Sequence, residues 1–206
     1  MYSITTTFGF IIESQPYSEA GRVFSIFTRD LGLVKATAQG IRLEKSKLRY
    51  STQLYSFGIF SFVKGKEFWR LTSAGERLTA HDDNTIKELI ARLAILLCRL
   101  LHGEEAHPEL FDCILKCVEF FDSKQKNIDS ACRGENTLNL SDDQMQTLES
   151  LTVARILYRL GYIGDDALLN GYLQSSEVSV ELLEKLKSKR ILINQHVNKA
   201  LKESHL

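Results

Sequence analysis

Between Lys35 and Arg49 the sequence sets Lys35, Arg42, Lys45, Lys47 and Arg49 against a single acid, Glu44. Gly40 supplies a turn, and Ser46 lies among the charges as a small hydrogen-bond donor. The stretch carries a net charge of +4, and a cluster of this kind neutralises phosphates with release of condensed counterions. Phe57, Phe60, Phe62, Phe68 and Trp69 follow on extended segments where bases could stack. A barrel wall must also fill its interior from alternate positions, so each of these aromatics taken singly reads as core. The cluster's bland counterpart is a solvated surface turn. Its charge density favours nucleic-acid binding, with Lys35, Arg42, Lys45, Lys47 and Arg49 as the contact residues.

Other chemistry has less to stand on. The sequence contains no G-x-S-x-G, H-E-x-x-H, G-x-x-x-x-G-K-[ST] or G-x-G-x-x-G motif. The Lys64-Gly65-Lys66 stretch lacks the upstream glycine of a phosphate loop. Asp82-Asp83, Asp142-Asp143 and Asp165-Asp166 fall where helices begin or loops turn, so capping and solvation explain them. No catalytic residue is expected. Cys98 and His102, and Cys113 and Cys117, are spaced to share a helix face, but structural zinc sites favour tight Cys-x-x-Cys knuckles on turns. Cys117 lies on an apolar stripe and Cys98 in a leucine run, where free cysteine acts as a small hydrophobe. Cys132 has no nearby partner. No metal and no cofactor are expected; a metal-dependent enzyme built on Cys98, His102, Cys113 and Cys117 is the reading that stoichiometric zinc would revive.

The elements that must position the cluster show in the hydrophobic period. Ile4–Ser14, Gly21–Thr28, Leu33–Ala38, Leu54–Val63 and Glu67–Thr72 read as strands, the last two as a hairpin about Lys64-Gly65-Lys66. On the second, Val23, Ser25 and Phe27 share one face, with Phe24 and Ile26 opposite. Five short strands joined by glycine turns predict a small closed or partly closed barrel, in which Gly9, Gly58 and Gly75 could mark bulges or bends. From residue 81 the spacing becomes helical. Ile86 to Leu101 predicts a first helix, capped by Asp82, Asp83 and Asn84 and stopped by Gly103. Leu110 to Phe121 predicts a second, residues 123–142 a polar loop, and Met145 to Leu160 a third, capped at Ser141 or Asp142 and stopped at Gly161. Val180 to Lys202 predicts one helix or two. The division is therefore a barrel over 1–80 and an all-α domain over 81–206.

Charge follows the same division. The 206-residue chain has 26 basic and 26 acidic side chains, yet residues 1–80 carry 11 basic against 6 acidic, and residues 81–206 carry 15 against 20. The overall zero is a cancellation, and the asymmetry points the basic half at nucleic acid. Apolar and charged fractions of 44% and 25% are those of a folded protein, which excludes disordered and fibrous classes. No uncharged apolar run approaches the ~20 residues that span a bilayer. Met1-Tyr2-Ser3-Ile4 does not open a basic-then-apolar leader, and the four cysteines form no disulfide framework, so a cytoplasmic protein with reduced thiols is expected.

These residues also carry a resemblance. Gly9-Phe10-Ile11-Ile12, then Tyr17-Ser18-Glu19, then Phe27-Thr28-Arg29-Asp30-Leu31-Gly32, then Gly40-Ile41-Arg42 followed by Lys45-Ser46, resemble in order and spacing the bacterial recombination protein family RecO over residues 4–75. Leu151 to Tyr162 is similar to that family's helix ending in a Leu-Gly-Tyr stop. The resemblance implies an α+β protein with an N-terminal OB-fold β-barrel followed by a helical domain. It implies a non-enzymatic mediator that binds single- and double-stranded DNA and anneals complementary strands. With its partner RecR, such a mediator helps load RecA recombinase onto DNA coated by single-strand-binding protein. The family's DNA-contacting loop falls on Arg42, Lys45 and Lys47; Lys35 and Arg49 join it by proximity and charge. An apolar pocket with a basic rim would suit the acidic tail of single-strand-binding protein, and Arg92, Arg99, Arg155 and Arg159 are the candidates for that rim. Many relatives carry a zinc-binding Cys-x-x-Cys pair after the Leu-Gly-Tyr helix; here Ile163-Gly164-Asp165-Asp166 follows, so the zinc module is expected to be absent. Glu44 interrupts a loop that is often more basic in relatives. The rival class is an OB-fold protein–protein adaptor without DNA-binding activity.

Overall fold

The computed structural model describes residues 3–78, 84–130 and 140–204. The Asp82-Asp83 cap and Cys132 lie outside the described residues. The chain forms two compact units, Met1–Phe111 and Asp112–Leu206. Their boundary falls beyond the change of period at residue 81, so the first long helix groups with the barrel.

In the first unit, β1 (Ile4–Pro16), β2 (Arg22–Thr28), β3 (Gly32–Ala38), β4 (Phe57–Val63) and β5 (Trp69–Leu78) close into a barrel in the order β1-β2-β3-β5-β4. The β3–β5 pair is parallel, with Ala36 opposite Trp69, and the other pairs are antiparallel. Closure depends on the long β1. Its first half pairs with β4 from Ile4 opposite Val63, and its second half with β2 up to Pro16 opposite Arg22. The register shifts between Ile11 and Glu13, a bulge that bends β1 from one neighbour to the other. Gly9 is not that bulge. A Cβ there would lie 2.8 Å from Ile26 Cγ2 and 2.9 Å from Phe60 Cδ2, so the position is empty to let the walls approach. The shift between Phe57 and Gly58 does fall where a glycine stands.

Alternation fills both sides of the wall. Ile11, Phe24, Ile26, Val34, Ala36, Ile41, Phe60, Phe62, Trp69 and Leu71 form the interior. On the outer side Phe10 stacks on Phe57 at 4.3 Å between ring centroids, and Phe111 packs edge-on or tilted against Phe8, Phe27 and Phe57. Helix α2 (Asn84–Leu100) buries Leu89, Ile90, Leu93, Ala94, Leu97 and Leu100, the stripe its spacing predicts. Strand β4 begins at Phe57 rather than Leu54, because Tyr55 turns the chain in the left-handed region at φ 68°. Strand β5 runs past Thr72 to Leu78, its polar residues pairing along β4.

The division between the units lies within α3 (Pro108–Ser130). This helix continues through residues expected as loop. Lys124, Gln125 and Lys126 are good helix formers, and a polar sequence without an apolar stripe still propagates from a turn already made. In the second unit α4 (Asp142–Arg159) starts with a capping box, Ser141 and Gln144 each bonding the other's backbone N–H. It ends in a Schellman pair, Tyr162 N–H to the Leu157 carbonyl at 2.8 Å and Gly161 N–H to the Tyr158 carbonyl at 3.0 Å. Gly161, at φ 80°, supplies the left-handed residue this stop requires. The final helical stretch is two helices, α6 (Val180–Lys187) and α7 (Arg190–Glu203), preceded by a short α5 (Asn170–Gln174). The break falls at Ser188-Lys189, where no apolar side chain anchors the chain.

Candidate nucleic-acid interface

The connector from β3 to β4, residues 39–56, carries most of the basic cluster and contains α1 (Leu48–Ser51). Its path follows from which side chains the barrel accepts. Ile41 enters the interior and Leu48 packs against it, which leaves Arg42, Lys45, Lys47 and Arg49 on the exposed side. Tight backbone bonds hold the shape: Leu43 to Gly40 at 3.1 Å, Ser46 to Leu43 at 3.0 Å and Arg49 to Ser46 at 3.3 Å. The Arg42 N–H reaches the Ala20 carbonyl at 3.1 Å, tying the connector to the β1–β2 turn. The Tyr55 N–H then returns the chain to Ile11 beside the bulge at 2.9 Å.

Arg42 and Arg49 line one cleft of about 560 Å³ together with Arg22, Phe24, Ile41, Thr52, Gln53 and Leu54. Among the described residues no carboxylate lines it. Arg22, at the start of β2, lines the cleft without announcing itself in the sequence; a lone arginine after a turn glycine gives no signal until the barrel closes. Its guanidinium donates to Ser14 Oγ at 3.2 Å. Lys45 and Lys47 are exposed on the connector outside this cleft. Lys35 stands apart on β3, opposite Ser25, and lines a second cleft of about 210 Å³ with Glu13, Gln15, Pro16, Tyr17, Val23, Ser25 and Phe68. Among the described residues none of Lys35, Arg42, Lys45, Lys47 and Arg49 is ion-paired, so each retains its charge for a ligand.

The aromatics of β4 and β5 are core, as singly expected. Phe57, Phe60 and Phe62 are at most 1% exposed, and Trp69 is buried at the start of β5. Its Nε1 donates to Glu104 Oε1 at 2.7 Å, while Lys64 Nζ donates to Glu104 Oε2 at 3.1 Å and lies 5.2 Å from the indole centroid.

The arginine rim expected on the helices is not built in the second unit. Arg155 is 1% exposed, and its Nε and Nη2 donate to the carbonyls of Tyr172 and Glu177, each at 2.9 Å. One turn on, Arg159 donates to the carbonyls of Leu173 at 2.8 Å and Gln174 at 2.9 Å, and to Ser176 Oγ at 2.9 Å. Both guanidinium groups satisfy the C-terminal carbonyls of α5 and the chain beyond it, which the partial negative charge of a helix end favours. They are therefore structural. Arg92 and Arg99 are exposed on α2.

Thiol chemistry is quiet. Burial pushes the thiols of Cys98, Cys113 and Cys117 upward, Cys117 to about 12 even with the Thr152 hydroxyl 3.5 Å from its sulfur. Thiols that stay protonated are poor nucleophiles. Among the described residues no three His, Cys, Asp or Glu side chains gather where they could hold a metal ion. The stretch from Ile163 to Gln174 has no cysteine, so no Cys-x-x-Cys pair follows the Leu-Gly-Tyr stop there. No helix among the described residues is long and apolar enough to cross a membrane.

A closed five-stranded barrel of this strand order, with a helix-bearing connector between β3 and β4, defines an OB-fold domain followed by helices. Residues 1–75 match the family model described as Recombination protein O N terminal. It is 32% identical over 114 residues to the DNA repair protein RecO of Clostridium perfringens, covering 53% of this chain and 46% of that one. It is 26% identical over 116 residues to the RecO of Halalkalibacterium halodurans, covering 54% and 45%. Against the RecO of Clostridium novyi it is 27% identical over 137 residues, covering 64% and 52%. The chain thus matches about half the length of these relatives.

Proposed function

We propose that this chain is a non-enzymatic DNA-binding mediator of repair and recombination. It binds single- and double-stranded DNA through the backbone, anneals complementary strands, and with RecR helps load RecA recombinase onto DNA coated by single-strand-binding protein. The observation that carries the reading is the acid-free cleft in which Arg22, Arg42 and Arg49 converge, with Lys45 and Lys47 exposed on the same connector. Contacts to phosphate position a protein without reading sequence. A positive surface also lowers the repulsion between two backbones brought together, which is the physical requirement for annealing. The names of the relatives support the setting in DNA repair.

The test is charge reversal. In the full chain, Lys45, Lys47 and Arg49 are changed to Glu, and single-stranded DNA binding is followed by anisotropy across salt. The expected result is a weaker affinity and a shallower slope against log salt. An unchanged affinity and slope would overturn the reading and leave the barrel as a protein adaptor.

A further inference from the structure

The arginine cleft ends on the barrel core. Phe24 and Ile41, both interior residues, form its floor, Arg22 stands on the β2 side, and the connector supplies Arg42 ahead of α1 and Arg49 from within it. A backbone that continues in both directions lies along an open groove; a recess closed by core side chains receives an end or a small molecule. Its volume of about 560 Å³ is that of a small-ligand pocket. The three arginines are braced before any ligand arrives. The Arg22 guanidinium donates to Ser14 Oγ at 3.2 Å, the Arg42 N–H to the Ala20 carbonyl at 3.1 Å, and Gln53 Nε2 to the Arg49 carbonyl at 3.0 Å. Thr52 spends its hydroxyl proton on the Leu48 carbonyl at 2.7 Å, which leaves the guanidinium groups as the cleft's main donors. The balance of charge is positive over every segment that borders it. The β1–β2 turn, the start of β2 and the connector carry Arg22, Arg42, Lys45, Lys47 and Arg49 against Glu19 and Glu44, and both glutamates are exposed outside the cleft.

We propose that this cleft binds a terminal phosphate, a phosphomonoester carried by the end of a nucleic-acid strand or by a free nucleotide. The proposal deepens the DNA-binding reading of the same site and rests on it. A bridging phosphodiester brings a single negative charge, whereas a monoester near neutral pH carries between about 1.5 and 2 and offers three acceptor oxygens. Arginine presents a rigid fork of donors that meets phosphate oxygens in pairs, so three such forks in one recess match the monoester better than the diester. Because the side chains are held in place beforehand, little ordering opposes the capture. Residues 1–80 contain no histidine, and among the described residues no carboxylate lines the cleft. The second ionisation of the ligand's own phosphate, near pH ~6, therefore sets the pH dependence. Lys45 and Lys47, outside the cleft, serve the backbone that follows.

The test measures binding by the full chain to oligodeoxythymidylates of about 8 nucleotides, within the site size of one OB fold, ended by hydroxyls, by a 5′-phosphate or by a 3′-phosphate. Thymidine monophosphate and thymidine are compared as competitors. The expected result is roughly tenfold tighter binding of a phosphate-ended probe than of its hydroxyl counterpart at pH 7.5, with the preference shrinking at pH 5. Arg22→Ala should abolish the preference, and so should Arg22→Gln, which keeps a donor for Ser14. Lys45→Ala with Lys47→Ala should weaken all strands alike and leave the preference intact. A preference among the strands assigns the strand end as the source; one seen only between the nucleotide and the nucleoside assigns the free nucleotide. Hydroxyl-ended strands bound as tightly as phosphate-ended ones, with no effect of either competitor, overturn the terminal-phosphate site alone. A preference that survives both Arg22 variants does the same. A chain that binds none of the strands overturns the site together with the DNA-binding reading.

Discussion

Trp69 and Glu104 are joined by an indole hydrogen bond of 2.7 Å, with the Lys64 ammonium bonded to the other carboxylate oxygen. The hydrogen bond from Trp69 is the main reason the Glu104 carboxyl sits below its ordinary range; burial opposes it and Lys64 reinforces it. A depressed carboxyl contributes stability above its unfolded pKa and loses it as pH falls through the folded one. Trp69 is the single tryptophan of the chain, so its emission reports this bond alone. The emission should hold steady at neutral pH and change on acidification below the ordinary glutamate range, and Glu104→Ala should show the altered emission at every pH. An emission in Glu104→Ala identical to the parent's would refute the coupling. The buried ring should also respond little to added oligonucleotide.

The arginine cleft and Lys35 lie in different places, so their contributions to single-strand binding should add. Arg42→Ala with Arg49→Ala is expected to reduce the slope of log affinity against log salt by about 1.4, near 0.7 for each phosphate no longer neutralised. Adding Lys35→Ala should lower it by a further similar step. A triple variant no shallower than the double would show that Lys35 touches no phosphate.

Arg155→Met removes the donors that satisfy the Tyr172 and Glu177 carbonyls. Buried acceptors left unpaired cost about 1–3 kcal/mol each, so urea unfolding should show a loss of at least ~2 kcal/mol. Arg155→Lys should recover little, since an ammonium on a flexible stem does not reproduce the planar fork. DNA affinity of the folded variant should be unchanged; a parallel loss of affinity would return Arg155 to the interface.

Gly9→Ala places a methyl against Ile26 and Phe60 across the barrel. Overpacking of this kind costs about 1–3 kcal/mol, measurable as a lower urea midpoint, whereas Gly75→Ala, with only the Ile59 carbonyl at 3.9 Å, should cost less. Equal effects at the two positions would contradict the close approach of the walls.

Cys117, held protonated until about pH 12, should resist iodoacetamide at pH 8 while Cys98, half-buried, is modified first. Peptide mapping by mass spectrometry reads the order. The sign on stability is fixed: a thiol raised in the fold stabilises below its unfolded pKa of about 8.5, and that contribution is lost as pH rises toward 12. Modification of Cys117 ahead of Cys98 would contradict its burial.

The strands and helices are legible where apolar period and turn residues agree, as at Phe24 and Ile26 against Val23 and Ser25, or at Ser141 and Gly161. Helix α3 beyond Phe121 is not, because helix formers without an apolar stripe look like loop. Within the candidate site, Arg42 and Arg49 stand out through their local charge density. Arg22 does not, since it reaches the cleft only through the pairing of β2 with β1 and the Arg42 bond to Ala20. Arg155 and Arg159 mislead in the opposite direction: they read as surface, because their partners are backbone carbonyls that sequence does not display.

Those two arginines bond to dipoles, without a carboxylate in the pairing, and Arg155 is out of reach of solvent ions. Mobile ions that would screen phosphate contacts at the connector therefore have little to screen at Arg155. Rising ionic strength would free this protein from a nucleic-acid column while the Arg155 bonds to the Tyr172 and Glu177 carbonyls persist. Elution with salt is then a reversible release, and chain recovered from it should bind again on desalting without a refolding step.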